Sequence, residues 1–523
     1  MPTPKNDANI RQCNHSLFLF PTDHHEIFNI IMSLSNKKSV GYDDISITIL
    51  KRCAQIISLP LSNIINQCFE QGVFPDALKK AIVIPVHKKG DIKNASNYRP
   101  ISLISNITKI FEKALNNRLM NYLYSNNIIA QEQHGFIKGG STILSIFKVI
   151  DTITKSWEDK TSVVLILLDL QKAFDCVDKQ LLLCKLEKYG IRGSALDLFS
   201  SYMSNRKQCT KINGVFSSWK DITNGVPQGS ILAPSLFLLF INDLPKAITN
   251  KLFLFADDTA IICESRDQQQ IVTEVQMAIT NLNKWFTENG LKLNENKTEI
   301  LTFGNYYHFP SNIDVLGTII NTKNTAKFLG IIIDKHLNWK PHIEYILTKL
   351  NRAICLIKIL KSNSIQAETL IQVYHAVFHS VLQYGLIFWG NSTLASKVFR
   401  LQKKCVRIIV GASYCEHCKP IFKALKILTV QDQYVLDLAC FIKNNYNLFK
   451  TNVYNHDYKT RFKDNMKTDQ AHLSITRDSV RNMAMRIYNK IPADIKCIEQ
   501  IKKFKQKLKE RLLKCNLYNI DHL

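Results

Sequence analysis

Apolar residues are grouped in two different ways along this chain. Between about residues 80 and 335, short apolar runs alternate with amphipathic stretches. The run at Ser162–Leu168 begins with β-branched residues and predicts a strand that is buried on both faces, and residues 80–86 predict another strand. After about residue 335 the apolar spacing is almost wholly helical. The pattern therefore predicts an α+β region followed by a helical one.

The same pattern predicts further local elements. Two apolar runs, 252–254 and 259–262, enclose Phe255-Ala256-Asp257-Asp258 and predict a β-hairpin with two acids at its tip. Pro60 is expected to divide residues 46–72 into two short helices. Helical spacing is also found at 24–34, 105–160, 179–189, 194–204, 232–244, 341–361, 367–384 and 395–410. A looser polar stretch covers 451–474.

The net positive charge of the chain indicates what kind of partner it binds. The chain has 523 residues, of which 68 are lysine or arginine and 43 are acidic, and its formal net charge is +25. Such an excess favours a polyanionic partner, most simply nucleic acid. Residues 498–513 have helical apolar spacing with lysines between. This segment could bind RNA phosphates, or it could be a docked helix with a solvated basic face.

The cysteines predict an intracellular setting. The 14 cysteines have no repeating spacing, and residues 1–14 contain no hydrophobic signal region, so we expect reduced thiols. No apolar run approaches the length of a membrane span, so no membrane partner is expected. Cys415 and Cys418 have no second pair at suitable spacing, and we therefore expect no zinc.

Three acids carry the candidate chemistry. Asp257 and Asp258 are adjacent at the predicted hairpin, and Asp169 ends the strand at Ser162–Leu168. Neighbouring carboxylates are costly to desolvate, and a divalent cation would neutralise them. Three carboxylates could hold two magnesium ions, which prefer oxygen ligands. A solvated turn at 257–258 and a simple strand cap at Asp169 remain open as alternatives.

The residues around these acids carry a family resemblance. The blocks occur in a fixed order: Ile84-Pro85-Val86-His87-Lys88-Lys89-Gly90-Asp91, Asn97-Tyr98-Arg99-Pro100, Gln133-His134-Gly135-Phe136, Leu168-Asp169-Leu170-Gln171-Lys172-Ala173-Phe174-Asp175, Gly225-Val226-Pro227-Gln228-Gly229-Ser230, Phe255-Ala256-Asp257-Asp258, Leu291-Lys292-Leu293-Asn294 and Phe328-Leu329-Gly330. Together they resemble the reverse transcriptases of non-LTR retrotransposons, closest to the Jockey-like, LINE-type elements. All of them in order are far more specific than any one block.

The resemblance implies a right-hand polymerase with fingers, a palm built on an antiparallel sheet and a helical thumb. We expect an N-terminal helical extension at 1–75, fingers and palm at 76–335, a thumb at 336–411 and a basic, mainly helical C-terminal region at 412–523. Members of this family usually carry an endonuclease ahead of the polymerase. The chain begins just before the expected fingers, so target nicking is not assigned to it.

The resemblance also implies roles for single residues. Asp169, Asp257 and Asp258 would bind two Mg²⁺ ions, with Mn²⁺ as a possible substitute. Among the other site residues, Lys88 and Arg99 would clamp the triphosphate, Phe174 would exclude a 2′-hydroxyl, Gln228 and Gly229 would contact the nucleotide or template, and Lys297 would protonate pyrophosphate. Simpler interpretations stay open. Lys88 and Lys297 could be solvated lysines, and Lys89 could equally take the place of Lys88. Phe174 could be a core aromatic, and Gln228 and Gly229 could belong to a plain turn.

The function implied is RNA-directed DNA synthesis, in which dNTPs are added to a primer 3′-hydroxyl during retrotransposon copying. The partners would be an RNA template, a DNA primer or target, and dNTPs. The protein would work in a cytoplasmic ribonucleoprotein and in the nucleus at target DNA. One alternative is a catalytically silent remnant that only binds RNA. An RNA-directed RNA polymerase is a further rival, against which Phe174 argues.

Overall fold

The computed structural model describes residues 12–304, 309–315, 317–449, 465–468 and 470–519. Most of the polar stretch expected at 451–474 lies outside these residues. The first half of the chain mixes helices with strands, and no strand follows residue 334 within the described range. The α+β class predicted from the apolar pattern is therefore confirmed, as is the helical character of the second half.

Thirteen strands form the sheets of the described chain. They are β1 (Lys80–His87), β2 (Tyr98–Ile104), β3 (Ser162–Leu168), β4 (Lys207–Ile212), β5 (Val215–Phe216), β6 (Lys220–Asp221), β7 (Lys251–Phe255), β8 (Asp258–Ser265), β9 (Glu299–Phe303), β10 (Asn312–Val315), β11 (Thr318–Lys323), β12 (Thr325–Phe328) and β13 (Ile331–Asp334). The strands predicted at 80–86 and 162–168 and the hairpin around the paired acids are confirmed.

A six-stranded sheet is the centre of the fold. Its strand order is β10-β11-β9-β3-β8-β7, and β3 lies between β9 and β8. The expectation of an antiparallel sheet needs a correction at one point. Pairing is antiparallel from β9 across to β7, but β11 runs parallel to β9 through Thr322↔Ile300 and Lys323↔Leu301. The chain can make this parallel pair because β10 and the connection before it lie between the two strands.

A second sheet has the strand order β2-β1-β4-β5, with β6 also paired to β4. Strands β1 and β2 are antiparallel over seven registered pairs, from Ala81↔Ile104 to His87↔Tyr98. Strand β4 runs parallel to β1. The short antiparallel pair of β12 and β13 forms a separate two-stranded sheet.

Within the described residues, nine α-helices precede the last strands. They are α1 (His24–Ser33), α2 (Ile47–Arg52), α3 (Ala54–Gln71), α4 (Asn106–Ser125), α5 (Thr142–Glu158), α6 (Lys179–Lys188), α7 (Ser194–Met203), α8 (Leu232–Phe240) and α9 (Gln268–Glu288). The helix predicted at 232–244 ends earlier, and a 3-10 turn at Leu244–Ala247 follows it.

The prediction that Pro60 divides residues 46–72 is wrong. The break falls at Cys53, and α3 continues through Pro60. Proline removes only one helical N–H donor, so packing of the helix can outweigh its cost. Here the Asn66 side chain accepts from the Thr22 N–H at 2.7 Å and donates to the Thr22 carbonyl at 2.9 Å. These contacts tie α3 to the segment before α1, which no local pattern reveals.

The second half is built from eleven further helices among the described residues. They are α10 (Lys340–Ser362), α11 (Ala367–Val373), α12 (Ser380–Gln383), α13 (Leu386–Trp389), α14 (Ala395–Val410), α15 (Cys418–Ala424), α16 (Val430–Asn444), α17 (Ser474–Arg477), α18 (Val480–Lys490), α19 (Ala493–Lys496) and α20 (Ile501–Cys515). A π-helix at Tyr374–His379 joins α11 to α12.

The six-stranded sheet separates two hydrophobic cores. Alternate side chains of a strand point to opposite faces, so β3 contributes to both. Val164, Ile166 and Leu168 pack with α1, α3, α4 and α6–α9. Val163, Leu165 and Leu167 pack instead with α5 and with the helices of the second half. This two-sided burial matches the continuous apolar run of β3.

The helical second half shares its core with the sheet. Arg481 of α18 binds Asp151 of α5 through Nε and Nη2, at 2.6 and 2.8 Å.

The domain divisions expected at 75/76, 335/336 and 411/412 stay predictions. Within the described residues, no helix has the length and apolar content required to cross a membrane.

Candidate active site

The three predicted acids lie at one edge of the six-stranded sheet. The β3–β8 ladder ends with Leu168 opposite Thr259, so Asp169 and Asp258 come next on the two strands. Opposed residues of an antiparallel ladder have Cα atoms about 5 Å apart. Asp257 precedes Asp258 at the turn of the β7–β8 hairpin, where Phe255 pairs with Asp258. The fold thus brings together acids that are almost 90 residues apart in sequence.

The charges of these acids act on one another. Desolvation raises the pKa of Asp257, and the negative charge of Asp169 adds to this effect. The Asp258 side chain reaches solvent, yet surrounding protein desolvates it enough to raise its pKa to about 6, with further contributions from Asp257 and Asp169. Like charges at short range disfavour ionisation of both groups. The hairpin tip therefore concentrates negative charge that only a cation would relieve.

Asp169 differs from the other two because a lysine already contacts it. Its Oδ2 accepts from Lys297 Nζ at 2.6 Å and from the Asn294 side-chain amide at 3.2 Å. The Asn294 N–H also donates to the Asp169 carbonyl at 2.8 Å, which holds the loop after α9 against the end of β3. The role of Asn294 was not predicted, although Asn294 is the last residue of the block 291–294, one of those that carry the family resemblance.

The donor set fits a hard divalent cation. The three acids provide only carboxylate oxygens, which Mg²⁺ prefers. A bound cation would relieve the repulsion between these carboxylates. They do not form a closed cage: the described part of the chain contains no preformed cluster of three His, Cys, Asp or Glu side chains arranged as metal ligands. Ligation by these three residues therefore stays a prediction.

Two basic residues of the β1–β2 pair lie near the acids. Arg99 in β2 pairs with Val86 in β1. Lys88 comes directly after the end of β1, and its N–H donates to the Asn97 carbonyl at 2.8 Å. Desolvation and the charges of Arg99 and Lys297 lower the pKa of Lys88, while the charge of Asp169 opposes them. Lys88 and Arg99 in turn lower the pKa of both Asp257 and Asp258. The predicted triphosphate clamp and the acids thus share one site.

The loop at 225–231 forms a third side. Gly229 has φ +124°, and a Cβ there would lie 2.7 Å from the Ser102 carbonyl oxygen, so only glycine fits. The Gln228 carbonyl accepts from the Ser102 N–H at 2.8 Å. The Gln228 side chain donates to Asp175 Oδ1 at 2.8 Å. In the absence of substrate, Gln228 therefore contacts the protein, and its role toward a nucleotide stays a prediction.

Phe174 combines a core contact with partial exposure. Its ring stacks on Phe237, with centroids 4.5 Å apart and planes at 23°. Its carbonyl accepts from the Val226 N–H at 2.9 Å, which joins it to the 225–231 loop. The side chain is half-buried. The ring is thus fixed by packing on one side, and its predicted role in sugar selection remains open.

Glu112 supports the same loop and was missed. It is fully buried in α4, and it accepts from the Tyr202 hydroxyl at 2.6 Å and from the Ile231 N–H at 2.7 Å. Burial raises the pKa of its carboxyl group. No local pattern marks it, because its helical neighbours Thr108, Lys109 and Asn116 are polar and give no sign of a buried face.

Comparison with known protein families agrees with this geometry. Residues 86–333 match the family described as reverse transcriptase (RNA-dependent DNA polymerase). Every predicted site residue, from Lys88 to Lys297, lies inside that range. The chain carries a reverse transcriptase domain. The resemblance seen in the sequence blocks is thereby confirmed.

Relatives of this reverse transcriptase domain are RNA-directed DNA polymerases from mobile elements. The chain is 28% identical over 439 residues to the probable RNA-directed DNA polymerase from transposon BS of Drosophila melanogaster, a match that covers 80% of the chain and 48% of the relative. It is 28% identical over 433 residues to the RNA-directed DNA polymerase from mobile element jockey of the same species, covering 80% and 47%. The chain spans about half the length of these relatives.

Two predictions lie outside the reverse transcriptase domain. In the basic helix α20, Phe504, Leu508 and Leu512 are buried, and the lysines between them are exposed. The helix is thus docked, and RNA contact by its basic face stays a prediction. Cys415 is exposed and Cys418 is buried, where its thiol donates weakly to the Lys403 carbonyl. The expectation that no zinc binds there also stays a prediction.

Proposed function

We propose that this protein is an RNA-directed DNA polymerase that extends a primer 3′-hydroxyl with dNTPs on an RNA template, in the copying of a retrotransposon. Its reverse transcriptase domain and its similarity to RNA-directed DNA polymerases of mobile elements support this proposal. The observation that carries it is the meeting of Asp169 with Asp257 and Asp258 at one sheet edge, opposite Lys88 and Arg99.

In this proposal, Asp169, Asp257 and Asp258 hold two Mg²⁺ ions, for which Mn²⁺ could substitute. Such a pair of ions helps to deprotonate the attacking hydroxyl and stabilises the leaving pyrophosphate. The residues of the chain do the positioning. Arg99 offers a forked contact to the triphosphate and Lys88 a point charge, since both lie within electrostatic range of the acids.

The remaining site residues would set substrate geometry. Phe174, fixed by its stack on Phe237, would lie under the sugar and exclude a 2′-hydroxyl. Gln228 would exchange its contact with Asp175 for the nucleotide or the template. Lys297 lies on Asp169, close enough to the acids to donate a proton to the leaving group after it is released from that carboxylate.

The architecture suits a right-hand polymerase. The six-stranded sheet would be the palm, β1 and β2 would belong to the fingers, and the helices from α10 to α14 would form the thumb that holds the template–primer duplex. Exposed lysines and arginines on α10 and α14 would contact the duplex backbone, as is usual for duplexes that contain RNA.

Primer extension on an RNA template tests the proposal. The protein should extend a DNA primer with dNTPs when Mg²⁺ is present and not when it is chelated. Asp257→Asn should reduce extension by at least about 100-fold, because it removes one metal ligand that contributes several kcal/mol. Asp267→Asn, which changes an exposed helix cap of α9, is the matched control and should retain activity. RNA binding without extension in the unchanged chain would contradict the proposal.

A further inference from the structure

The turn that carries the paired acids has an unfavourable backbone conformation. Ala256 has φ +55°, in the left-handed region, between Phe255 and Asp257. Two-residue hairpin loops usually place glycine at such a position because a Cβ is disfavoured there. Something other than local preference must therefore hold Ala256, and with it the direction of the two following carboxylates.

The side chain of Gln133 supplies that support. Its Oε1 accepts from the Ala256 N–H at 3.1 Å, and also from the N–H groups of His134 and Gly135 at 3.0 and 2.8 Å. Gln133 is 4% exposed. This buried amide oxygen joins its own segment to the hairpin, because the N–H groups of Ala256 and Gly135 would be costly to leave unpaired.

The backbone around Gln133 is fixed to β7 as well. The His134 N–H donates to the Leu254 carbonyl at 2.8 Å, and the Leu254 N–H donates to the Glu132 carbonyl at 2.9 Å. Gly135 permits the close approach, since a Cβ there would lie 2.6 Å from the Ala256 nitrogen. The segment 132–135 therefore acts as a short added strand that ends against the acidic turn.

We propose that Gln133, with Gly135 beside it, is a positioning residue for Asp257 and Asp258: its amide oxygen holds Ala256 in the left-handed conformation and so aims the carboxylates. The predicted effect of Gln133 on activity rests on the proposed polymerase function, whereas its predicted effect on the backbone of the turn does not. Gln133 itself contacts neither substrate nor metal in this account.

The test combines Gln133→Leu with Ala256→Gly. Gln133→Leu removes the acceptor and should lower kcat for primer extension about 10- to 100-fold, as expected for a small misplacement of catalytic groups. The KM for dNTP should change by less than about threefold, since Lys88 and Arg99 are untouched. Glycine at position 256 adopts positive φ without help, so Gln133→Leu/Ala256→Gly should recover most of the lost kcat. Gln131→Leu, two residues away and exposed, is the matched control.

A second readout is independent of activity. Thermal unfolding should show that Ala256→Gly raises the midpoint of the Gln133→Leu protein more than that of the unchanged protein, because glycine relieves strain that only the variant leaves unsupported. Equal shifts in both backgrounds, or a kcat that glycine does not restore, would overturn the proposal. If the unchanged protein fails to extend a primer, the proposed function fails, and the thermal comparison still decides the role of Gln133.

Discussion

Two acidic sites of the molecule differ in how their negative charge is compensated. Asp243 is 6% exposed, and Lys185 Nζ binds its Oδ1 at 2.6 Å while Trp285 Nε1 donates to its Oδ2 at 3.2 Å. At the hairpin tip, Asp257 and Asp258 have like-charged neighbours and raised pKa values, and no ion pair to either is found among the described residues.

The difference separates structural charge from functional charge. Where a carboxylate only supports the fold, the protein provides its counter-ion internally. At the edge of the sheet, under the proposed function, a cation from outside would balance the negative charge of Asp257 and Asp258. Asp169 is intermediate, because Lys297 neutralises it through a partly exposed pair.

The largest effect should come from breaking the internal pair. Lys185→Met would leave Asp243 buried without its counter-ion, and we expect it to lower the free energy of unfolding by about 3–5 kcal/mol. Denaturant unfolding measures this. Lys251→Met is the control, because it breaks an exposed pair with Glu264 and should cost less than about 1 kcal/mol. Equal losses in both variants would contradict the contrast drawn between the two centres.

A smaller effect should follow from supplying the missing charge. Mg²⁺ should raise the thermal midpoint of the unchanged protein, since a ligand that binds only the folded state at 100 times its Kd stabilises by about 2.7 kcal/mol. The Mg²⁺-dependent rise should disappear in Asp257→Asn. A rise of the same size in that variant would show that the ion binds elsewhere.

Removing charge at the tip should stabilise the metal-free protein by a few degrees. Burial and the neighbouring acids raise the pKa of Asp258 to about 6 in the folded state, so ionisation of this group destabilises the fold progressively as pH rises from about 4 to 6. Asp258→Asn removes this cost. Its midpoint should exceed that of the unchanged protein at pH 8, and the two should converge near pH 4, where both carry a neutral side chain. A difference that does not depend on pH would contradict this account.

The smallest effect concerns Lys297. Its pair with Asp169 is partly exposed, so Lys297→Met should change stability by less than about 1 kcal/mol. The same substitution should shift the Mg²⁺ response to lower concentration, because it removes a competitor for the Asp169 oxygen. Thermal unfolding across a Mg²⁺ series measures both. A shift to higher concentration would mean that Lys297 assists metal binding.

Local pattern was sufficient for much of the fold and for the acids. The run at Ser162–Leu168 and the hairpin around Asp257 were predictable because strand burial leaves its mark within a few residues. The break near Pro60 was misplaced because α3 is held by contacts such as those between Asn66 and Thr22, which are 44 residues apart.

The supporting contacts of the site were beyond the reach of local pattern. The bond from Ala256 to Gln133 joins residues 123 apart, and that from Lys297 to Asp169 joins residues 128 apart. Such pairs arise from how the sheet and the loops pack. Family resemblance located the blocks that contain these residues but not the hydrogen bonds between them. Glu112 was missed for the same reason, because polar residues flank it on its own face of α4 and its partners Tyr202 and Ile231 are distant in sequence.

Cleavage of the backbone by bound Fe²⁺ tests directly whether Asp169, Asp257 and Asp258 share one cation site. With hydrogen peroxide as oxidant and ascorbate as reductant, Fe²⁺ bound in place of Mg²⁺ generates hydroxyl radicals that cut the chain near the residues that hold it. We expect fragments that end near both Asp169 and Asp257, and their loss when excess Mg²⁺ is added. Cleavage near only one of these positions, or near neither, would contradict a cation site shared by the three acids.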